Sequence, residues 1–270
     1  MAVVLEWLGP RMANKQEYPS EVVIDGATYR FERTLKSDGF SSNWLYRDDA
    51  TGRRYVLKAG RFKFFFGPLL APLARALIRR EYENYRALQG IDGIPRLGPW
   101  WGKAGFFHEF VEGQSLHDMG ETPQLPPDFI EKLRALVDQL HARRLVHLDL
   151  NKRGNIILTP QGAPCIIDFQ VSLRFPAQGR RTTGWVEKLF NLLKAEDIYH
   201  VYKHKKRLQP LLMTQEDKAR AERTAVGFHW LRSFAKRYRK IKRATLYPKG
   251  SNETVWYKWR KLKGGKRQTD

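Results

Sequence analysis

Cysteine is nearly missing from this chain: Cys165 is the one thiol in 270 residues. That excludes an internal disulfide framework and is the pattern of a chain kept in a reducing compartment, most simply the cytosol. Also missing is any run of the roughly 20 apolar residues needed to cross a bilayer. The nearest approach, 62–78, is interrupted by Lys63, Gly67, Pro68, Pro72 and Arg75. It reads as an extended helix packed on its own domain, with a surface dipping into a bilayer interface as the sharper alternative. Residues 1–10 have no basic start followed by a long apolar run, so no secretory signal is expected. Acidic residues are scarce in one region only. Positions 171–270 carry 26 Lys and Arg against 8 Asp and Glu, a net +18, whereas the first 170 residues carry only +3. A nearly balanced body followed by a strongly basic tail is a statement about partners and not about fold.

What is present is a globular composition, 42% hydrophobic and 13% aromatic, long enough for one two-lobed domain or two small ones. Residues 29–35, 43–47 and 54–59 alternate polar with aromatic or β-branched side chains. They are separated by a Ser/Gly link at 36–42 and a turn at 48–52, the pattern of an antiparallel meander. Positions 73–88 carry helical periodicity with alternating charge, ended by Gly93 and Pro95, and 96–101 and 105–111 read as two further strands. Beyond Pro126 and Pro127 the apolar residues Phe129, Leu133, Leu136, Val137 and Leu140 form one stripe on a helix of about four turns. Two short strands at 155–158 and 165–167 follow, joined by a turn with Gly162 where a positive φ is wanted. The rest is helix-rich from near Thr183, with Thr214 and Asp217 spaced as a capping box opening a long helix.

The chemistry concentrates in H-L-D-L-N-K-R-G-N-I-I-L at 147–158 and I-I-D-F-Q at 166–170. A hairpin between the two strands brings Asn155 and Asp168 side by side. One amide oxygen and one carboxylate suit Mg²⁺, a hard cation that takes few protein oxygens and completes its shell with phosphates. Asp149, close but off the metal, is placed to orient a substrate hydroxyl and accept its proton. Singly these are ordinary loop and cap residues; their order and the apolar strands beside them make the pattern specific.

These segments resemble the catalytic loop and magnesium-binding turn of the protein kinase superfamily, H-R-D-x-x-x-x-N followed by D-F-G. The resemblance implies that Asp149 is the catalytic base and that Asn155 and Asp168 hold magnesium. Y-V-L-K at 55–58 is similar to the strand whose lysine grips the α- and β-phosphates of ATP, which makes that residue Lys58. Glu81, in R-R-E-Y-E-N-Y-R-A-L at 79–88, matches the helix glutamate that pairs with it. F-H-E-F-V-E-G at 107–113 resembles the hinge, where backbone groups of Glu109 and Val111 meet adenine. Coverage runs from about Tyr29 to Asp168, nearly a minimal kinase core. The implied fold is α+β and two-lobed, with an N-lobe at 20–112, a mainly helical C-lobe at 113–210 and a basic amphipathic extension at 211–270.

The departures are as informative. Of the glycine-rich loop only Gly39 stands in L-K-S-D-G-F-S-S at 35–42, with its serines and backbone N–H groups left to cap phosphates. Leu148 replaces the Arg of H-R-D. Asn155 follows Asp149 by six residues and not five, and from that longer loop Lys152 is the candidate to neutralise the γ-phosphate. Gln170 replaces the Gly of D-F-G, which restricts backbone flipping, and no A-P-E motif follows. The pattern is more similar to compact relatives, the RIO-type and bacterial lipopolysaccharide-kinase-like kinases. It implies an ATP- and Mg²⁺-dependent transfer to a protein or glycolipid hydroxyl. A pseudokinase scaffold and an RNA- or ribosome-associated ATPase are the competing readings. In the tail, Val226, Trp230, Phe234 and Tyr238 share a helical face among Lys and Arg, and Trp256, Tyr257 and Trp259 lie in a further basic run. An anionic membrane surface is the expected partner, with RNA as runner-up, and a docked helix with a solvated charged side is the plainer account. The expected location is cytoplasmic, peripheral on the inner face of the membrane. Asp197 is the candidate to anchor the catalytic loop from a following helix.

Overall fold

The computed structural model describes residues 18–37, 41–60, 67–120, 124–177 and 184–222. Within them the chain divides into two compact units, 18–78 with 98–110, and 79–97 with 111–222.

The first unit is an antiparallel sheet. Its strands are β1 (Glu21–Ile24), β2 (Ala27–Ser37), β3 (Ser41–Asp48) and β4 (Arg54–Gly60). After α1 (Gly67–Ala87) come β5 (Leu97–Trp101) and β6 (Gly105–Glu109), giving the order β1-β2-β3-β4-β6-β5. The meander read from the alternation is therefore present, with one apolar face packed into a core of Val22, Tyr29, Trp44, Tyr46, Leu57, Ala59 and Phe107. Phe107 is its centre, stacked on Tyr29 at 4.5 Å and edge-on to Tyr46 at 5.6 Å, arrangements that add about 1 kcal/mol per pair beyond burial. The β3–β4 turn closes on Asp48, whose carboxylate accepts from the Ala50 N–H (3.0 Å) and the Thr51 hydroxyl (2.7 Å).

The second unit begins with the C-terminal half of α1 and continues through β7 (Gln114–Ser115), α2 (Phe129–Ala142) and β8 (Leu145–Val146). It then runs through β9 (Ile156–Leu158), β10 (Pro164–Ile166), β11 (Leu173–Arg174), α3 (Gly184–Leu208) and α4 (Gln215–Glu222). The α2 stripe is buried at every expected position, joined by Ile130 and His141. Burying such a side chain contributes roughly 1.5–3 kcal/mol, an upper figure because unfolded chains already bury some area. The β9–β10 hairpin turns through Gly162 at φ +77°, as its sequence requires. Thr214 and Asp217 complete a reciprocal capping box, each backbone N–H bonding the other's side chain at 3.1 Å. Asp217 also accepts from buried Lys205 (2.7 Å), which reaches Glu131 on α2 as well (2.6 Å). Burial alone would raise the Asp217 carboxyl, but the bonds from Lys205 and Thr214 outweigh it and hold it below the ordinary value.

Mixed α and β structure with an N-terminal antiparallel sheet matches the expected fold class. Among the described residues no helix is long and apolar enough to cross a membrane. The tail from 223, with the aromatic and basic face expected there, lies outside the described residues, as does Gly39.

Gly113 immediately precedes β7 at φ +137°, and a Cβ there would lie 2.2 Å from the Leu158 carbonyl oxygen of β9. Gly113→Ala is expected to destabilise the protein by about 2 kcal/mol or more, through both backbone strain and the forced parting of the two strands. Urea denaturation of the variant beside wild type measures this.

Candidate functional site

The loop between β8 and β9 carries the motif residues, and its backbone is held by α3. Leu148 adopts φ +65°, a left-handed conformation that costs a non-glycine residue about 1–2 kcal/mol. Asp197 of α3 compensates. Its carboxylate, wholly buried, accepts the His147 N–H at 2.7 Å and the Leu148 N–H at 2.9 Å. The same carboxylate lies 3.2 Å from His141 Nε2 of α2. The anchoring expected of Asp197 is thus a direct pair of bonds to the loop backbone. Further along, His204 Nε2 is 2.7 Å from the Leu150 carbonyl and Lys203 Nζ donates to Asn151 Oδ1 at 2.8 Å. Burial pushes the His204 imidazole down to about 4, so it stays neutral and donates its Nε2 proton to Leu150.

His147 is buried and faces inward. Its Nδ1 accepts the Asp149 N–H (3.3 Å), which leaves the proton on Nε2 to donate to the Ile167 carbonyl (3.2 Å). That second bond ties the loop to the Asp168 turn. Leu148 packs in the apolar cluster of Val146, Phe190 and Leu193, a place that suits leucine and not the motif's arginine. An arginine acts instead from Arg144, at φ +59°. It makes a bidentate pair with Glu187 (2.6 and 3.0 Å), donates to the Pro176 carbonyl (2.9 Å) and stacks over Phe190 at 4.0 Å.

The extra residue between Asp149 and Asn155 is taken up by two successive turns. Lys152 N–H bonds the Asp149 carbonyl (3.1 Å), and Asn155 N–H bonds the Lys152 carbonyl (3.0 Å), closing a 3₁₀ turn over Arg153–Asn155. Three of the sequence-assigned residues meet here. Lys152 Nζ is in short contact with Asp149 Oδ2. Asn155 Nδ2 donates to the Asp149 carbonyl (3.1 Å) and to its Oδ2 (3.2 Å). The hairpin register pairs Ile156 with Ile166 and carries the Ile167 N–H to the Asn155 carbonyl (3.0 Å), so Ile167, the residue before Asp168, lies opposite Asn155. Among the described residues no cluster of three or more His, Cys, Asp or Glu forms a ready-made metal cage. The oxygens of Asn155 and Asp168 nonetheless fit Mg²⁺, which takes one or two protein oxygens and draws the rest from phosphates and water.

The other assigned residues are placed as follows. Lys58 lies in the middle of β4, paired with Asn43 and Phe106, and is 5% exposed. Glu81 is fully buried on α1. Glu109 ends β6, and its carbonyl lies 3.0 Å from His108 Nδ1. Val111 is half-buried just beyond β6. Sequence reasoning missed His204, Asn84 and Tyr85. The available signal was polarity on a buried face, since Asn84 and Tyr85 sit one turn after Glu81 in line with Leu88.

His204 makes stability pH-dependent in a stated sense. Its folded value lies below the ordinary 6.5, so the unfolded chain binds more protons between about pH 6.5 and 4. Stability is complete above that window and falls as pH drops through it, by on the order of 3 kcal/mol. His204→Gln, which preserves an N–H donor, is expected to flatten this slope in denaturation curves taken from pH 7 to pH 4.

No family model matches the chain. Among curated proteins it is similar to the serine/threonine-protein kinase PknA of Mycobacterium tuberculosis, 28% identical over 166 residues that cover 58% of this chain and 38% of the relative. The PknA of Corynebacterium glutamicum is 28% identical over 172 residues, 60% of this chain and 36% of the relative. That of Nostoc sp. is 30% identical over 153 residues, 52% of this chain and 27% of the relative. The chain spans between about a quarter and two fifths of the length of these curated relatives, and the likeness is a distant, partial one to serine/threonine protein kinases.

Proposed function

We propose that the protein is an ATP- and Mg²⁺-dependent kinase that transfers the γ-phosphoryl group to an alcohol. The observation that carries this reading is the joining of Asp149, Lys152 and Asn155 in one hydrogen-bonded cluster, with the strand that leads to Asp168 paired to the strand after Asn155. The similarity to serine/threonine-protein kinases supports it independently.

In this reading Asn155 and Asp168 hold magnesium, which when bound neutralises charge on the ATP phosphates. Asp149 orients the acceptor hydroxyl and takes its proton as the new P–O bond forms and the bond to ADP breaks. Lys152, 61% exposed on the same loop, turns from Asp149 to the γ-phosphate. The resting pair is worth about 1 kcal/mol or less at that exposure, so the exchange is easy. By the kinase resemblance, Lys58 is the residue assigned to the α- and β-phosphates and Glu81 the helix glutamate that goes with it. The same resemblance assigns Gly39 to the phosphate loop and the backbone of Glu109 and Val111 to adenine.

The acceptor favoured by the relatives' names is a serine or threonine hydroxyl of a protein. The missing A-P-E segment favours a glycolipid hydroxyl instead, reached through attraction of the basic tail to an anionic surface.

The test is transfer of radiolabelled γ-phosphate from Mg·ATP in the presence of a membrane and protein extract. Wild type is expected to label one fraction. Asp149→Ala is expected to lose transfer by about a hundredfold or more while still binding ATP, and Asp168→Asn is expected to lose it together with magnesium dependence. Label in protein or in lipid decides the acceptor. ATP-induced stabilisation without transfer by wild type would instead make the protein a nucleotide-binding scaffold.

A further inference from the structure

The Asp168 turn presents a physical difficulty that magnesium binding alone does not solve. Asp168 has φ +68°, and the carbonyls of Phe169 and Gln170 and the N–H of Asp168 turn away from the β9–β10 ladder. Buried backbone groups without partners cost 1–3 kcal/mol each, so a turn of this shape drifts unless something outside it satisfies them. Bonding from two successive turns comes from the C-terminal half of α1. Arg80 donates to the Gln170 carbonyl at 2.9 Å. Asn84 Nδ2 donates to both the Phe169 carbonyl (3.2 Å) and the Ser172 carbonyl (3.3 Å). The Tyr85 hydroxyl accepts the Asp168 N–H itself at 3.3 Å.

Two of these residues are built in rather than resting on the surface. Asn84 is 2% exposed and Tyr85 1%. Burial, with the Glu81 charge adding to it, holds the Tyr85 phenol well above its ordinary value, so it is neutral at every working pH. Phe169 fills the space between, edge-on to Tyr85 at 4.9 Å and to His147 at 5.0 Å. The far side of the turn is closed by Ser172, whose hydroxyl donates to the His147 carbonyl at 3.1 Å. The bonds from Arg80, Asn84 and Tyr85 all go to backbone atoms of the turn, so they set the direction of the Asp168 side chain through its backbone.

We propose that Asn84 and Tyr85 are positioning residues that hold the Asp168 carboxylate in its magnesium-binding direction by hydrogen-bonding the backbone of its turn. The inference rests on the reading of Asp168 as a magnesium ligand. It assigns α1 a role separate from that of Glu81. The helix keeps the metal ligand pre-oriented in the nucleotide-free protein, so metal binding does not have to order the turn.

Two measurements on the full chain test it. Amide hydrogen exchange of 168–172, in protein free of nucleotide and metal, reads the turn directly. The Mg²⁺ dependence of ATP-induced thermal stabilisation and of phosphoryl transfer reads the metal site. For Tyr85→Phe, exchange is expected to quicken and the half-saturating Mg²⁺ concentration to rise, each by roughly three- to tenfold, the factor one net hydrogen bond represents. Turnover at saturating Mg²⁺ is expected within about twofold of wild type by the same argument, since the ligand itself is intact. Asn84→Leu, which keeps the volume and removes both donors, is expected to go further in the same direction; if it fails to fold, Tyr85→Phe decides alone. Faster exchange with an unchanged Mg²⁺ midpoint overturns the proposal, because the residues are then merely structural. Variants matching wild type in both measurements overturn it too. A wild type that binds ATP with no dependence on Mg²⁺ overturns the parent reading, and this one with it.

Discussion

The carboxylate of Asp197 is the constraint on which the candidate site depends. Burying an ion of this kind costs several kcal/mol, and only close, well-directed donors offset it. Two backbone N–H groups from consecutive residues and the edge of a histidine ring supply them. The price is returned as geometry. With His147 N–H and Leu148 N–H both aimed at one carboxylate, Leu148 is held in a left-handed conformation that its side chain disfavours. That reversal sends His147 into the core and Asp149 outward. Because Asp197 lies about fifty residues along the chain, the loop takes this shape only once α3 has docked beside α2.

The same division of labour recurs at the Asp168 turn. There, too, a non-glycine residue sits at positive φ, and side chains from a helix rather than ladder partners satisfy the backbone. The loop and the turn are then joined by His147, which accepts from Asp149 on one nitrogen and donates to Ile167 with the other. Two strained backbone positions, each held by a helix and both linked through one imidazole, are a pre-organised arrangement. Such sites act by having dipoles and charges in place before the reaction begins.

Charge is handled differently in the described body and along the whole chain. In the described body, cations near the core are committed to partners: Lys205 lies between Glu131 and Asp217, and Arg144 forks onto Glu187. The excess of positive charge belongs to 171–270, where acidic residues are few. Net charge of that size governs association with polyanions and has little to say about fold.

By itself the sequence determined the elements and where the motif residues stand along them. Period-two alternation specified the meander, the five-residue stripe specified α2, and Gly162 specified the hairpin between Asn155 and Asp168. These are local signals, readable because side-chain period and turn stereochemistry act over a few residues. What only the tertiary structure decided was how the motif backbone is held. Asn84, Tyr85 and His204 carry no motif, and their partners are peptide groups 54 to 88 positions away. The identity of a residue does not encode which distant carbonyl it will meet, because a peptide group offers the same donor and acceptor at every position. Leu148 shows the same limit: as a letter it is a lost arginine, whereas in the fold it is an apolar side chain in an apolar cluster, with Arg144 clamping the neighbouring strand.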